Sequence, residues 1–256
     1  MSAPCRLALL IVIVLLAGAG AAPALAGEYT VQSCNAGLGY RGTGWAPVSS
    51  HPHMAVYDNC IQTAGTPEWN AGLVTRNGVA SDPKATVPEG AYSAWIFRAP
   101  TGARLSRISY HHEFCGWSGF KAGLANASGA WLHAAGPASC GTLGAPDAVM
   151  ALGGATEVQV RTQCVYGPCK VGAGLLGYAT INHVAVTISD TTKPALTITG
   201  GSATTPGWKR GLVAVNYSAS DNTGIARVDL RAGGLLGEFR PVCTMTRPVP
   251  CPNRSG

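Results

Sequence analysis

Arg104–Phe114 reads Arg-Leu-Ser-Arg-Ile-Ser-Tyr-His-His-Glu-Phe, and its period decides the fold. Ile108, Tyr110, His112 and Phe114 fall on one face while Arg107, Ser109, His111 and Glu113 fall on the other. That two-residue alternation belongs to a strand with a single buried face. Glu157–Cys164 repeats it, with Val158, Val160, Thr162 and Cys164 inward and Glu157, Gln159, Arg161 and Gln163 outward. Ser93–Arg98 and Tyr178–Ile188 read as further strands, the second long enough to cross a whole sheet. Between them stand turn-forming clusters such as Gly65-Thr66-Pro67, Asp82-Pro83 and Gly136-Pro137. No window after residue 27 shows a 3.6-residue apolar stripe. Short strands at turn-punctuated intervals predict an all-β chain built as a sandwich or jelly roll.

The first 26 residues read differently. Arg6 is their only charge, an apolar run spans Leu7 to Leu16, and Ala24-Leu25-Ala26 forms a small-residue cleavage site. This is the pattern of a signal peptide, with the mature chain starting at Gly27. A retained membrane anchor is the competing reading, since Leu7 to Ala26 is just long enough to span. Gly18, Gly20 and Pro23 weaken a helix where a span needs it, which favours cleavage and leaves no membrane span behind. Cys5 leaves with the leader. Eight cysteines remain: Cys34, Cys60, Cys115, Cys140, Cys164 and Cys169, then Cys243 and Cys251. Even groups of six and two behind a leader predict disulfides, an oxidising compartment and two separately stapled units.

Composition narrows the partners. Of 256 residues only 12% are charged, and the formal net charge is +6. Residues 27–193 hold ten basic against nine acidic side chains and residues 194–256 seven against three, so the excess sits in the tail. Such a bias suits an acidic cell-wall polymer or anionic glycan. The plainer reading is a solvated sheet face, because Arg227, Asp229 and Arg231 alternate along one strand. No basic run with interleaved aromatics occurs, which argues against a nucleic-acid partner.

A boundary is legible at Ser189-Asp190-Thr191-Thr192-Lys193-Pro194, polar, proline-bearing and directly after the long strand. It divides a first unit, 27–190, from a second, 191–256. The second unit resembles a family. Asp190-Thr-Thr-Lys-Pro-Ala-Leu-Thr-Ile followed by Ala219-Ser-Asp-Asn-Thr-Gly-Ile-Ala-Arg-Val is similar to the opening half of a bacterial immunoglobulin-like repeat. Roughly 65 residues, about two thirds of such a domain, are present, and the closing Asp-x-Ala-Gly-Asn-like segment is lacking, so the resemblance implies a partial module. In the first unit, Tyr29-Thr-Val-Gln-Ser-Cys and the scattered Cys and Trp resemble the lectin-like N-terminal sandwiches of secreted actinobacterial proteins. An Arg-over-Lys bias of 13 to 5 fits a GC-rich genome. These resemblances imply fold and location more than activity.

Spacing favours two local bridges, Cys164 with Cys169 around Val165-Tyr166-Gly167-Pro168, and Cys243 with Cys251 around a proline-bearing loop. Cys34 with Cys60 and Cys115 with Cys140 complete the simplest sequential scheme, but six cysteines allow fifteen pairings. No Cys-x-x-Cys pair occurs, which disfavours zinc. His51-Pro52-His53 places two imidazoles on one side if the segment is extended, and His111-His112-Glu113 places His111 and Glu113 on another polar face, groups that suit a divalent metal. No helix fixes their spacing, so neither a metal nor any other cofactor is expected.

Catalytic motifs are missing. There is no Gly-x-Ser-x-Gly, no His-Glu-x-x-His and no closely spaced acid set; Glu113 and Glu157 would have to approach through the fold. Aromatics give the better binding clue. Trp117 in Cys115-Gly-Trp-Ser-Gly and Trp45 in Gly42-Thr-Gly-Trp-Ala-Pro have small neighbours that would expose flat rings suited to sugar faces, whereas Trp95 reads as core. Packing is the ordinary role of tryptophan in a sandwich and competes with this reading. The sequence therefore predicts a secreted or cell-surface, non-catalytic binding or adhesion protein with an extracellular glycan or wall polymer as partner. The alternatives are an extracellular glycoside hydrolase on a jelly-roll scaffold and a purely structural spacer.

Overall fold

Alternating burial along the chain produces two facing sheets. The computed structural model describes residues 27–61, 70–78, 81–136, 138–141, 148–172, 174–231 and 235–255. The leader, the Gly65-Thr66-Pro67 turn, Pro137 and Gly233-Gly234 lie outside the described residues. In chain order the first unit holds β1 (Glu28–Ser33), β2 (Trp45–Ser49), β3 (Met54–Asp58), β4 (Leu73–Asn77), β5 (Thr86–Val87), β6 (Tyr92–Arg98) and β7 (Ala103–Gly116). It continues with β8 (Phe120–Asn126), β9 (Trp131–Ala135), β10 (Ser139–Cys140), β11 (Ala148–Ala155), β12 (Glu157–Cys164), β13 (Cys169–Lys170) and β14 (Gly177–Asp190). The second unit holds β15 (Ala195–Gly200), β16 (Asn216–Ser220), β17 (Val228–Arg231), β18 (Leu235–Phe239) and β19 (Arg254–Ser255). Among the described residues no α-helix forms.

One sheet runs β10-β7-β14-β4-β3, with β1 added to β14 and β11 to β7; the other runs β2-β6-β12-β8-β9. All of these pairings are antiparallel. The core lies between the two sheets. Leu105, Ile108, Tyr110, Phe114, Ile181, Val186 and Ile188 meet Trp45, Trp95, Phe97, Leu124, Val158 and Val160 across it. The all-β sandwich is thus the observed architecture.

Two irregularities adjust the simple alternation. Leu105 and Ile108 both face the core although three residues apart, because the pairing of β7 with β14 shifts register between them. On β14, His183 has φ 51° at a second shift between Asn182 and Ala185. There the partner on one edge of β14 changes from β4, paired through Ile181, to β1, paired from Val184. A bulge of this kind adds one unpaired residue and bends the strand, which lets one long strand serve two successive neighbours.

β14 ends at Asp190 and β15 begins at Ala195, either side of the polar segment read as a boundary. The second unit forms a three-stranded sheet, β15-β16-β19, and a β17-β18 hairpin. Among the described residues its buried side chains are few: Ala219, Thr223, Ile225, Pro241, Pro250 and Cys251. It docks on the first unit through backbone and side-chain bonds, with the Gln32 amide donating to the Met245 carbonyl at 2.7 Å and the Tyr29 hydroxyl to the Pro248 carbonyl at 2.5 Å. The alternating Arg227, Asp229 and Arg231 form a surface ion-pair trio, Asp229 at 3.2 and 3.3 Å from its neighbours.

Four disulfides join Cys34 to Cys60, Cys115 to Cys140, Cys164 to Cys169 and Cys243 to Cys251. The pairing is sequential because each bridged pair lies on neighbouring segments; Cys140, for example, is the direct cross-strand partner of Cys115. Four such bonds are the covalent signature of an oxidising compartment. No helix among the described residues is long and apolar enough to cross a membrane.

Candidate ligand-binding end of the sandwich

The tight turn between β7 and β8 places Trp117. Ser118 at φ 51° and Gly119 at φ 90° are its two central residues, and the Phe120 amide donates to the Trp117 carbonyl at 3.0 Å. Two successive positive φ values make the primed turn whose twist matches a hairpin. Trp117 is then fixed from three sides: its amide donates to the Leu176 carbonyl at 2.7 Å, its indole Nε1 points at Cys140 Sγ at 3.0 Å, and Cys115 beside it is bridged to Cys140. The ring remains 47% exposed.

A second aromatic belongs to the same end. The Gly119 carbonyl accepts from the amides of Val165 at 2.9 Å and Tyr166 at 3.2 Å, so the Cys164–Cys169 loop is tied to the Trp117 turn. Tyr166 is 69% exposed. The sequence reading took it only as part of a turn; the available signal was an aromatic side chain among Gly and Pro between two bridged cysteines, where no core position exists for it.

Trp45 does not join them. It is 6% exposed, packs against Phe97 with ring centroids 5.3 Å apart, and donates its indole N–H to Ser33 Oγ at 2.9 Å. As the first residue of β2 it pairs with Phe97 and points inward, so the small residues around it shape the chain's entry to the strand instead of opening the ring to solvent. Trp95 is core as read, with its indole donating to the Val74 carbonyl at 3.1 Å.

The acidic candidates are separated. Glu113 stands on the outer face of the first sheet and accepts from the Tyr178 hydroxyl, whose pKa is pushed up by burial and then by that bond. Glu157 stands on the outer face of the second sheet, held by Arg98 at 2.8 Å and by the Gln159 amide at 2.7 Å. Two outer faces of a sandwich point away from each other, so these carboxylates do not converge on one bond.

The histidines also divide. His111 stacks on His183 outside, with centroids 4.6 Å apart. His112 lies inside among Phe114 and His133, the latter ring in turn hydrogen-bonded to the Tyr110 hydroxyl at 2.7 Å. His51 and His53 lie together on a turn, 5.5 Å between centroids. Among the described residues no three His, Cys, Asp or Glu side chains converge. At the far end of β7 from Trp117, a shallow hollow of about 350 Å³ is lined by Arg98, Pro100, Thr101, Arg104, Thr156 and Glu157.

No family model, curated protein or solved structure matches the chain. The case for function therefore rests on these residues alone.

Proposed function

We propose that this is an extracellular, non-catalytic binding protein that holds a carbohydrate against Trp117 and Tyr166. The observation that supports this reading is the presence of two exposed aromatic rings on loops joined through the Gly119 carbonyl, each loop braced by its own bridge, Cys115–Cys140 beside Trp117 and Cys164–Cys169 around Tyr166. Rings held in place before binding lose little freedom on contact, and flat apolar faces suit the C–H faces of sugars. The separated carboxylates offer no acid–base pair for glycosidic cleavage. Adhesion to a glycan-bearing surface and the lectin-like and immunoglobulin-like resemblances belong to the same proposal.

The test is retention of the mature chain on insoluble polysaccharides, beside an assay for reducing-sugar release. Wild-type protein is expected to bind without releasing sugar, and Trp117→Ala or Tyr166→Ala to lower affinity about tenfold, consistent with loss of one stacked ring. Trp45→Phe is the control for packing and should retain binding. Sugar release abolished by Glu113→Gln or Glu157→Gln would assign a hydrolase, and absence of both binding and release would leave the spacer.

A further inference from the structure

The connection between β15 and β16 is a loop that stands in solvent. A short 3-10 turn, Ser202–Thr204, opens it. Its neck is closed by the Ala203 amide donating to the Ala214 carbonyl and the Ala214 amide donating to Ser202 Oγ, both at 2.9 Å. Every residue from 204 to 214 is exposed. Gly207 and Gly211 flank the tip at φ 104° and 74°, backbone conformations that let the chain reverse. Between and beside them the sequence reads Trp208-Lys209-Arg210 and then Leu212-Val213.

That content is unusual for an open loop. Trp208 and Leu212 are 103% and 104% exposed, more than any other large apolar side chain among the described residues, and Val213 is 46% exposed. Large apolar side chains left in water forgo the gain of burial, and adjacent ones mark a surface that meets a partner. Charge supplies an independent observation. Residues 191–220 contain Lys193, Lys209 and Arg210 and no Asp or Glu. Lys209 Nζ donates to the Thr205 hydroxyl, and among the described residues neither Lys209 nor Arg210 forms an ion pair. The loop thus presents apolar and cationic groups side by side, with no acid of its own to neutralise them.

We propose that the loop carrying Trp208–Val213 docks the protein on an anionic lipid bilayer, entering at the headgroup boundary. Indole favours the membrane–water boundary, and Lys and Arg beside it meet anionic headgroups. Leu212 and Val213 gain only from an apolar layer behind those charges, which a lipid surface has and a soluble polyanion lacks. Two cations and three apolar side chains make a reversible contact, because stable anchoring takes more buried hydrocarbon or a second signal. The loop belongs to the second unit, so this contact does not depend on the carbohydrate reading of Trp117 and Tyr166.

The full mature chain is mixed with vesicles of phosphatidylcholine alone and with vesicles of phosphatidylcholine and phosphatidylglycerol. Pelleting gives the bound fraction, and tryptophan emission reports insertion. Retention on the anionic vesicles with a blue-shifted emission is expected, falling as NaCl screens the surface. Lys209→Gln with Arg210→Gln should lower the partition about thirtyfold, the combined effect of two cations at such a surface. Trp208→Ala should lower it about tenfold or more and abolish the emission shift. These side chains are exposed, so the variants should keep the parent's thermal midpoint. Retention unchanged in both variants would overturn the proposal by placing the contact elsewhere, as would no retention on anionic vesicles. Equal affinity for soluble dextran sulfate, with no emission shift on vesicles, would overturn it in favour of charge attraction alone.

Discussion

Gly119 shows how much one residue fixes at the aromatic end. At φ 90° it adopts a conformation that side-chain-bearing residues rarely reach, and a Cβ there would lie 2.4 Å from the Tyr166 carbonyl and 2.9 Å from Cys169 Sγ. The absence of a side chain is what lets the two aromatic loops touch. On the inward face of β7, His112 has the opposite problem, a half-buried titratable ring among the Tyr110, Phe114 and His133 rings. Burial lowers its pKa below the ordinary 6.5, with further lowering by His133 and His111. The neighbouring Tyr110 hydroxyl is kept protonated by burial and bonds His133. The folded state therefore favours neutral His112, while the unfolded chain takes up a proton as pH falls through 6.5. Its contribution to stability is complete above that value and declines below it, toward and through the lower folded pKa. Urea unfolding between pH 7.5 and pH 5 should show stability falling with pH, and His112→Phe should flatten the slope. An unchanged slope in the variant would move the titration elsewhere.

At the scale of elements, β4 and β12 are linked across the core by a polar contact that ordinary hydrophobic packing would avoid. Thr75 Oγ1 and Thr162 Oγ1 lie 2.8 Å apart, and Thr162 Oγ1 is 3.0 Å from the Thr75 carbonyl, with both side chains fully buried. Each hydroxyl is satisfied by the other strand, so the pair costs little while intact. Thr162→Val should destabilise the chain by about 1–3 kcal/mol, because it leaves the Thr75 hydroxyl buried without its partner. The double change Thr75→Val with Thr162→Val should lose clearly less than the sum of the two singles. Denaturation midpoints of the four proteins test this, and strict additivity would show that the hydroxyls do not act as a pair.

For the whole molecule, the two units differ in how much they bury. The first encloses a core of large side chains such as Tyr110, Phe97, Phe114 and Phe120, whereas the second leaves Leu196 56% and Ile198 60% exposed on one face of β15. Residues 27–190 should therefore unfold cooperatively when expressed alone, and residues 191–256 alone should show no cooperative transition. Docking has a specific reporter in the Gln32 amide, which bonds Met245. Its hydrogen exchange should quicken when 191–256 are removed while amides within β14 stay protected. A sharp thermal transition in the isolated second unit would contradict this division.

The sequence by itself determined that the chain is all β, which side of β12 and of β7 from Ile108 onward is buried, and that its cysteines form sets of six and two. Period-two alternation and even cysteine counts are local facts, and strand sterics and an oxidising milieu act on them directly. It also marked Trp117, since glycine and serine beside a bridged cysteine leave a ring nowhere to pack. What the tertiary structure decided were relations between distant residues. Trp45 looked as open as Trp117 until Phe97 and Ser33 closed over it, and Tyr166 counted only as a turn residue until the Gly119 carbonyl tied its loop to Trp117. Asp190 and Asp221 are 31 positions apart. Only the contact of one unit with the other brings their carboxylates together, and no local spacing encodes a contact between residues so far apart in the chain.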